Sequence, residues 1–201
     1  GDEAVARAEH LLQALYTEAA ETTFDSHAIH LRLNEANVDR VDDAGYQPQT
    51  TCKNTPRAGV LMLADWLVAR GGGYGPIARS CSGSSRSEHK EARAFDWLLD
   101  ATDPVDQALA AALLDEVLAP DDLGQTHALA RRMGIMYIIW DDTMYASYDG
   151  FVAKRYLSSS CRTKRRCSAT LRHRDHMHIS LTRKGARGKT SWYYAQVPPP
   201  V

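Results

Sequence analysis

The chain has 201 residues, of which 44% are hydrophobic, and this composition is ordinary for a globular protein. It carries 24 Lys and Arg residues against 25 Asp and Glu residues, so its formal net charge at pH 7 is −1. Because this balance gives no global field of either sign, we expect no nucleic-acid partner. The sequence contains no run that approaches the roughly 18 apolar residues of a membrane span, and its start lacks the features of a signal peptide. We therefore expect a mature or trimmed soluble form that is a monomer.

The four cysteines, Cys52, Cys81, Cys161 and Cys167, contain no Cys-x-x-Cys pair. An even set without that spacing argues against a zinc ribbon and indicates two disulfides formed in an oxidising compartment. Of the three possible connectivities, we favour Cys161 with Cys167, which closes a short loop, and Cys52 with Cys81, since long unbridged loops cost the most closure entropy. The alternative is four reduced, buried thiols in a cytosolic protein.

Residues 1–50 are predicted to form an amino-terminal helix and a connecting segment. Apolar residues recur at helical spacing from Val5 to Ala19, which indicates one amphipathic helix. The pattern then degrades over residues 21–51 into polar and acidic residues with Gly45 and Pro48, so we expect a connection with a short strand or helical turn near residues 30–38. Residues 51–201 are predicted to form the main domain.

Helices and strands follow one another in blocks along the main domain. Capping residues, prolines and apolar spacing predict helices over residues 55–68, 103–117 and 121–134, the first ended by three glycines at 71–73. Apolar and β-branched runs predict strands at 77–81, 93–99, 135–140 and 176–181. This order predicts an α+β fold with a small, mainly antiparallel sheet flanked by helices.

Two segments carry the residues best suited to chemistry. In residues 87–97, His89 precedes Asp96 by seven positions, and residues 173–180 hold three histidines and an aspartate. In the second segment His176, His178 and Ser180 fall on one face of the predicted strand. Imidazole and carboxylate groups are ligands that zinc accepts, and three protein ligands with an open fourth position are typical of a catalytic zinc site. The alternative is that each is an ordinary hydrogen-bonded polar residue.

The two segments resemble the motifs of the zinc D-alanyl-D-alanine peptidases with the Hedgehog/D,D-peptidase fold. Ser87, His89, Ala94 and Asp96 fit the pattern Ser-x-His-x-x-Gly-x-Ala-x-Asp, with Ala92 in place of the glycine. The closing segment, Asp-His-Met-His-Ile-Ser at 175–180, is similar to the last motif of that family. The resemblance is closest to a secreted actinobacterial and fungal branch of D-Ala-D-Ala carboxypeptidase-like proteins, and it runs from about residue 52 to residue 193.

The resemblance implies that His89, Asp96 and His178 bind Zn²⁺. It also implies a catalytic residue just before the last ligand. Asp175 matches the acidic general base of the carboxypeptidases and dipeptidases, whereas His176 matches the first histidine of the His-x-His type. The choice between these two bases stays open.

Two further residues are candidates for substrate binding. Arg79 stands where the family carries an arginine that polarises the scissile carbonyl or holds a substrate carboxylate, and a guanidinium suits both roles. Trp140, an aromatic residue in a predicted strand, is a candidate wall for a cleft that takes a peptide stem, the alternative being that it packs in the core.

The predicted function is that of a secreted, cell-wall-associated zinc metallopeptidase, a hydrolase that cleaves amide bonds in peptidoglycan stem peptides or cross-links. A catalytically inactive zinc-bearing module that binds the cell wall is the main alternative. A third hypothesis is a structural wall protein whose metal has its fourth position closed by a Cys or His, for which His173 is available. The motifs leave open whether the bond is D,D or L,D and whether the enzyme is a carboxypeptidase or an endopeptidase.

Overall fold

A computed structural model describes residues 41–42 and 44–196 of the chain. The helix predicted from Val5 to Ala19 and the element predicted near residues 30–38 lie outside the described residues. Residues 44–50, which the sequence assigned to the connecting segment, contact the main domain; the Gln47 side chain, for example, accepts a hydrogen bond from the backbone of Arg183. Within the described part of the chain, no helix has the length and apolar character needed to cross a membrane.

The centre of the fold is a six-stranded antiparallel sheet. Its strands are β1 (Gly73–Tyr74), β2 (Ala94–Leu98), β3 (Ile135–Trp140), β4 (Thr143–Ala146), β5 (Lys154–Arg155) and β6 (Met177–Leu181). They lie in the order β1-β2-β6-β3-β4-β5. The last strand in sequence is therefore inserted between β2 and β3, and every pairing is antiparallel. The predicted α+β class with an antiparallel sheet is confirmed.

The helices cover one face of this sheet. Among the described residues they are α1 (Ala58–Val68), α2 (Pro104–Leu118), α3 (Ala128–Met133), α4 (Arg183–Ala186) and α5 (Ser191–Gln196). Their apolar side chains join one core with alternate residues of the central strands, such as Phe95, Ile138 and Ile179. The other face carries only a small apolar cluster of Met136, Tyr137, Ile139 and Ala146, which leaves room on that face for polar groups.

The best predicted elements have local signals. Asp103 caps α2 by accepting hydrogen bonds from the backbone N–H groups of Val105 and Asp106, with Pro104 as the first helical residue. Strands β2, β3 and β6 agree with their predicted ranges to within a residue. The helix predicted over residues 121–134 is present and ends at Gly134 as expected, but its predicted start is wrong. The Asp121 carboxylate accepts from the backbone of Leu123 and Gln125 in a turn, and α3 begins only at Ala128.

The strand predicted at 77–81 is also wrong. The chain pairs with β2 earlier, at Gly73 and Tyr74. It then passes so close to β2 that a Cβ atom on Gly75 would lie 2.0 Å from the carbonyl oxygen of Asp96. The Asp96 N–H donates to the Pro76 carbonyl at 3.0 Å. The backbone of Gly75 and Pro76 therefore makes an irregular contact with β2, which a regular strand would not make.

Both disulfides follow the favoured connectivity. Cys52 bonds to Cys81 and Cys161 to Cys167, with Cα atoms 5.7 and 5.6 Å apart, and none of the four cysteines is free. The first bond ties the segment before α1 to the segment that leads to His89. Two disulfides are compatible with an extracellular location.

A buried ion cluster joins the strand β2 to the segment before α1. Arg93, which is 1% exposed, donates from Nε to the Glu91 carboxylate at 2.6 Å and from Nη1 to the Leu181 carbonyl at 2.8 Å. Glu91 also accepts from the backbone N–H groups of Thr50 and Thr51, each at 3.1 Å. Burial raises the pKa of Glu91, but these hydrogen bonds lower it by more, to about 2.

We expect the two disulfides to differ in their effect on stability. Thiol titration of the denatured protein should find no free thiol. Replacing Cys52 and Cys81 with serine should lower the free energy of unfolding by about 3.5 kcal/mol, and replacing Cys161 and Cys167 by about 2 kcal/mol, because the first bond closes the longer loop. Urea unfolding of both double variants measures this order, and a larger loss from the second pair would contradict it.

Glu91 should make the stability of the protein depend on pH in the acid range. Because its pKa is lowered in the folded state, its contribution is fully present above its ordinary pKa of 4.5 and is lost as the pH falls towards 2. Glu91→Gln should lower the free energy of unfolding at pH 7 by about 3 kcal/mol, since it leaves Arg93 buried without its charge partner. In urea unfolding the difference from the parent should shrink at pH 3. The exposed Asp115→Asn change is the control and should have little effect at either pH.

Candidate metal centre

His178 lies in the middle of the sheet face that the helices leave uncovered. On β6 it stands directly between Asp96 of β2 and Ile139 of β3. Two positions further along, Ser180 stands between Ala94 and Tyr137 in the same way. Because directly opposed residues of antiparallel strands point to the same face, the strand pairing alone brings Asp96 and His178 together.

His89 reaches this face from a short 3₁₀ helix, Glu88–Glu91. The helix is closed by Ala92, whose φ is +47° and whose N–H donates to the His89 carbonyl at 3.1 Å. This is the position where the resembled pattern has glycine, and a left-handed backbone costs a non-glycine residue about 1–2 kcal/mol. The turn it makes returns the chain into β2 with the His89 ring lying over Asp96.

The donor atoms of His89, Asp96 and His178 converge on one point. The Asp96 Oδ1 atom lies 2.9 Å from His178 Nδ1 and 3.1 Å from His89 Nε2, and the two nitrogens are 3.2 Å apart. Ligands bound tetrahedrally to zinc at about 2.0–2.1 Å would be about 3.3 Å apart. The three atoms therefore form a triangle of the size of one face of a zinc tetrahedron, and each of the three residues is buried.

The proton positions make this triangle a set of electron-pair donors. The Nδ1 atom of His89 lies 3.0 Å from the Ile77 carbonyl, which can only accept, so Nδ1 carries the proton and Nε2 is free to bind a metal. The Nε2 atom of His178 lies 2.8 Å from the Ser180 hydroxyl, and when it donates there Nδ1 is the free nitrogen. With these tautomers the three atoms that face one another are all acceptors, an arrangement that a bound cation would stabilise.

Two groups of the site have pKa values that are shifted from their ordinary range. Burial lowers the pKa of His178, which opposes the effect of Asp96, so the imidazole is neutral at pH 7. Burial raises the pKa of Asp96, but the neighbouring His178 and His89 lower it by more, well below its usual range. A metal site needs this combination of neutral imidazoles and an ionised carboxylate.

The two candidate bases lie one behind the other beside the donor triangle. The His176 Nε2 atom is 3.6 Å from Asp96 Oδ1. Its Nδ1 atom lies 2.7 Å from Asp175 Oδ1, and the other oxygen of Asp175 accepts from the Thr170 hydroxyl at 2.5 Å. Because β6 begins only at Met177, strand alternation does not point Asp175 away from His176. Asp175 is joined to the centre through the His176 ring.

The two expected substrate-binding residues have different positions. The exposed side chain of Arg79 makes no hydrogen bond or ion pair with residues 41–42 and 44–196, while its backbone N–H donates to the His89 carbonyl at 3.1 Å. Trp140 instead belongs to the core with Ile138 and is 8% exposed. Strand alternation places it on the face opposite to His178, so the cleft-wall role expected for Trp140 is wrong and the core alternative is supported.

Two further rings, those of Tyr137 and His173, lie beside the centre. Tyr137 stacks on the His178 ring, with centroids 5.6 Å apart and planes at 19°. The His173 ring lies 4.8 Å from that of His176 and 5.6 Å from that of His178. Burial lowers the pKa of His173 and its histidine neighbours lower it further, to about 2. The pairing of β3 with β6 brings Tyr137 next to His178, and the sequence alone does not show this pairing.

A cleft of about 500 Å³ begins at Asp175 and extends away from the metal triangle. Its lining combines apolar and charged side chains, among them Leu98, Leu99, Asp100, Arg174 and Asp175. This volume is within the range of pockets that hold small ligands.

We expect one zinc ion per chain in protein purified without added metal. Replacing His89 or His178 with alanine removes one of only three donors and should abolish stoichiometric binding, as measured by elemental analysis. His127→Asn is the matched control, since it removes a histidine outside the triangle and asparagine tolerates the left-handed φ of 54° there. Full zinc occupancy in His178→Ala would show that the donor set is wrongly assigned.

Comparison with known proteins identifies a family. No curated protein matches the chain, and no solved structure matches it either. One family model, described as VldE, C-terminal domain, matches residues 52–173. The matched range includes His89 and Asp96 and ends before His176 and His178. Since it covers more than half of the chain, the protein belongs to the family of the VldE C-terminal domain.

Proposed function

We propose that this protein is a zinc-dependent peptidase that hydrolyses an amide bond in peptidoglycan stem peptides or cross-links. The observation that carries the proposal is the convergence of three electron-pair donors, within 2.9–3.2 Å of one another, beside a histidine held by a carboxylate. Zinc held there would supply a Lewis acid that polarises an amide carbonyl and makes water acidic enough to react near neutral pH.

His176 is the proposed general base and Asp175 its positioning residue. Asp175 accepts the Nδ1 proton of His176, which leaves Nε2 as the acceptor that faces the metal triangle. Nε2 would take the proton of the attacking water and then deliver it to the leaving amine. Burial raises the pKa of Asp175, but its hydrogen bonds with Thr170 and His176 lower the pKa by more. The carboxylate is therefore charged when it orients the His176 ring.

Three observations support an open catalytic site over a closed structural one. Only three residues form the convergent group among the described residues, and His173 is not one of them. The four cysteines are all in disulfides and therefore offer no fourth thiolate. The exposed Arg79 guanidinium is suited to hold a substrate carboxylate.

The proposed substrate class rests on the motifs. The segments at 87–96 and 175–180 resemble those of zinc D-alanyl-D-alanine peptidases, whose substrates are wall peptides. Two disulfides are compatible with secretion, which is the location such a substrate requires. The rival function, an inactive zinc-bearing module that binds the cell wall, would not need the hydrogen-bonded pair Asp175 and His176.

Hydrolysis of purified muropeptides, followed by mass spectrometry, tests the function. His176→Ala should lower the turnover number by about 100-fold to 10,000-fold with zinc still bound, because it removes the proton acceptor. Asp175→Asn keeps the ring but replaces a charged partner with a neutral one, so its loss should be smaller. Thr170→Val, which removes only the outer hydrogen bond to Asp175, is the control and should lose least.

The outcomes separate the two functions. Undiminished hydrolysis in both His176→Ala and Asp175→Asn would remove these residues from the mechanism. A fully metallated parent that binds peptidoglycan but releases no product from any wall preparation would contradict the peptidase and favour the binding module.

A further inference from the structure

A chain of buried polar groups leads away from the ligand His178 on the side opposite to its metal-binding nitrogen. The first contact joins His178 Nε2 to the Ser180 hydroxyl at 2.8 Å. Ser180 is directly opposite Tyr137 in the β3–β6 pairing, so the two hydroxyl-bearing side chains lie next to each other on the same face of the sheet. The Tyr137 hydroxyl lies 2.6 Å from Glu88 Oε2. The path therefore ends on a carboxylate that adjoins the ligand His89 in sequence.

Each group in this chain has one direction in which it can donate. Glu88 as a carboxylate only accepts, so the Tyr137 hydroxyl donates its proton to Glu88. The lone pairs of the Tyr137 oxygen then remain available to the neighbouring Ser180 hydroxyl. A Ser180 hydroxyl that donates to Tyr137 would in turn accept from His178 Nε2–H, and the direction would run from the imidazole to the carboxylate.

We propose that Ser180, Tyr137 and Glu88 form a hydrogen-bond relay that positions His178 as a metal ligand and fixes its tautomer. The proposal rests on the proposed metal centre. The relay places the His178 proton on Nε2 and so leaves Nδ1, the atom 2.9 Å from Asp96, free for the ion. Histidine ligands commonly donate their second N–H to a carboxylate, and here two hydroxyl groups connect the imidazole to it.

Burial gives this relay its strength. Ser180 is 0% exposed and Glu88 is 8% exposed, so water competes little for these hydrogen bonds. Tyr137 contributes twice, because its hydroxyl transmits the contact and its ring stacks on the imidazole. The stacking therefore restricts the tilt of the His178 ring, and the hydrogen bond to Ser180 restricts the rotation of the ring.

Glu88 is the member of the ion cluster available for this task. The Arg93 guanidinium is 3.5 Å from Glu88 but 2.6 Å from Glu91. Glu91 binds Arg93 and the backbone of Thr50 and Thr51, with no contact to Tyr137 among the described residues. Two carboxylates on one 3₁₀ helix thus have separate roles, since Glu91 stabilises the fold and Glu88 supports the ligand.

Zinc affinity measured by chelator competition tests the relay without reference to hydrolysis. Glu88→Gln and Tyr137→Phe should each weaken zinc binding by about 10-fold to 100-fold, the usual effect of losing such a partner. The double variant should be weaker than the poorer single variant by no more than about threefold, because both changes break the same chain. The absorption spectrum of the Co²⁺ form should shift in both single variants, since the donor set is kept while its orientation changes.

Glu91→Gln is the matched control, a carboxylate-to-amide change on the same helix that should lower stability and leave the zinc affinity of the folded protein and its Co²⁺ spectrum unchanged. Circular dichroism of each variant establishes that it is folded, and Tyr137→Phe tests the relay alone if Glu88→Gln does not fold. Parent-like zinc affinity in folded relay variants would overturn the relay only. A parent that binds zinc but hydrolyses nothing would overturn the peptidase only, and a parent without zinc would overturn the metal centre and the relay together.

Discussion

In the proposed metal centre three electron-pair donors repel one another because the fold holds them together, and the rest of the structure depends on this constraint. Asp96 Oδ1, His89 Nε2 and His178 Nδ1 lie within 3.2 Å of one another in a buried site. An arrangement of this kind is costly without a positive charge at its centre, because buried acceptors need a partner. The surrounding elements must therefore hold the donors rigidly enough that the binding of a cation, rather than the movement of side chains, relieves the repulsion.

Most of that rigidity comes from features outside the triangle. The β2–β6 pairing sets Asp96 against His178, and the close passage of the chain at Gly75 holds the Asp96 backbone. His89 is fixed by the turn at Ala92 and by the Ile77 carbonyl. The disulfide from Cys52 to Cys81 holds the segment that leads to His89. The left-handed alanine shows that local strain is accepted where the site requires the turn.

The parts of this architecture that the sequence predicted are those with local signals. The cap at Asp103, the apolar runs of β3 and β6 and the spacing of Cys161 and Cys167 each act over a few residues. The three residues that converge at the candidate metal centre were recognisable from two short motifs. The elements that were predicted wrongly depend on contacts with other parts of the fold. The segment at 77–81 was predicted as a strand, but its backbone contacts His89 through the Arg79 N–H and the Ile77 carbonyl. Asp121 uses its carboxylate for a turn rather than for a helix. Trp140 could not be assigned to a face until the register of β3 against β6 was known.

The hydrogen-bond partners of the three histidines would give them two tasks in the proposed enzyme, with His89 and His178 binding the metal and His176 transferring the proton. Each imidazole has one nitrogen engaged by an acceptor, which decides what the other nitrogen does. His89 is engaged at Nδ1 by a carbonyl and His178 at Nε2 by Ser180, so both present a lone pair to the same point. His176 is engaged at Nδ1 by Asp175, so its Nε2 atom, 3.6 Å from Asp96 Oδ1, is free to accept a proton. The acceptors come from separate loops and strands, and for this reason the motif His-x-His alone does not reveal which histidine binds and which one transfers the proton.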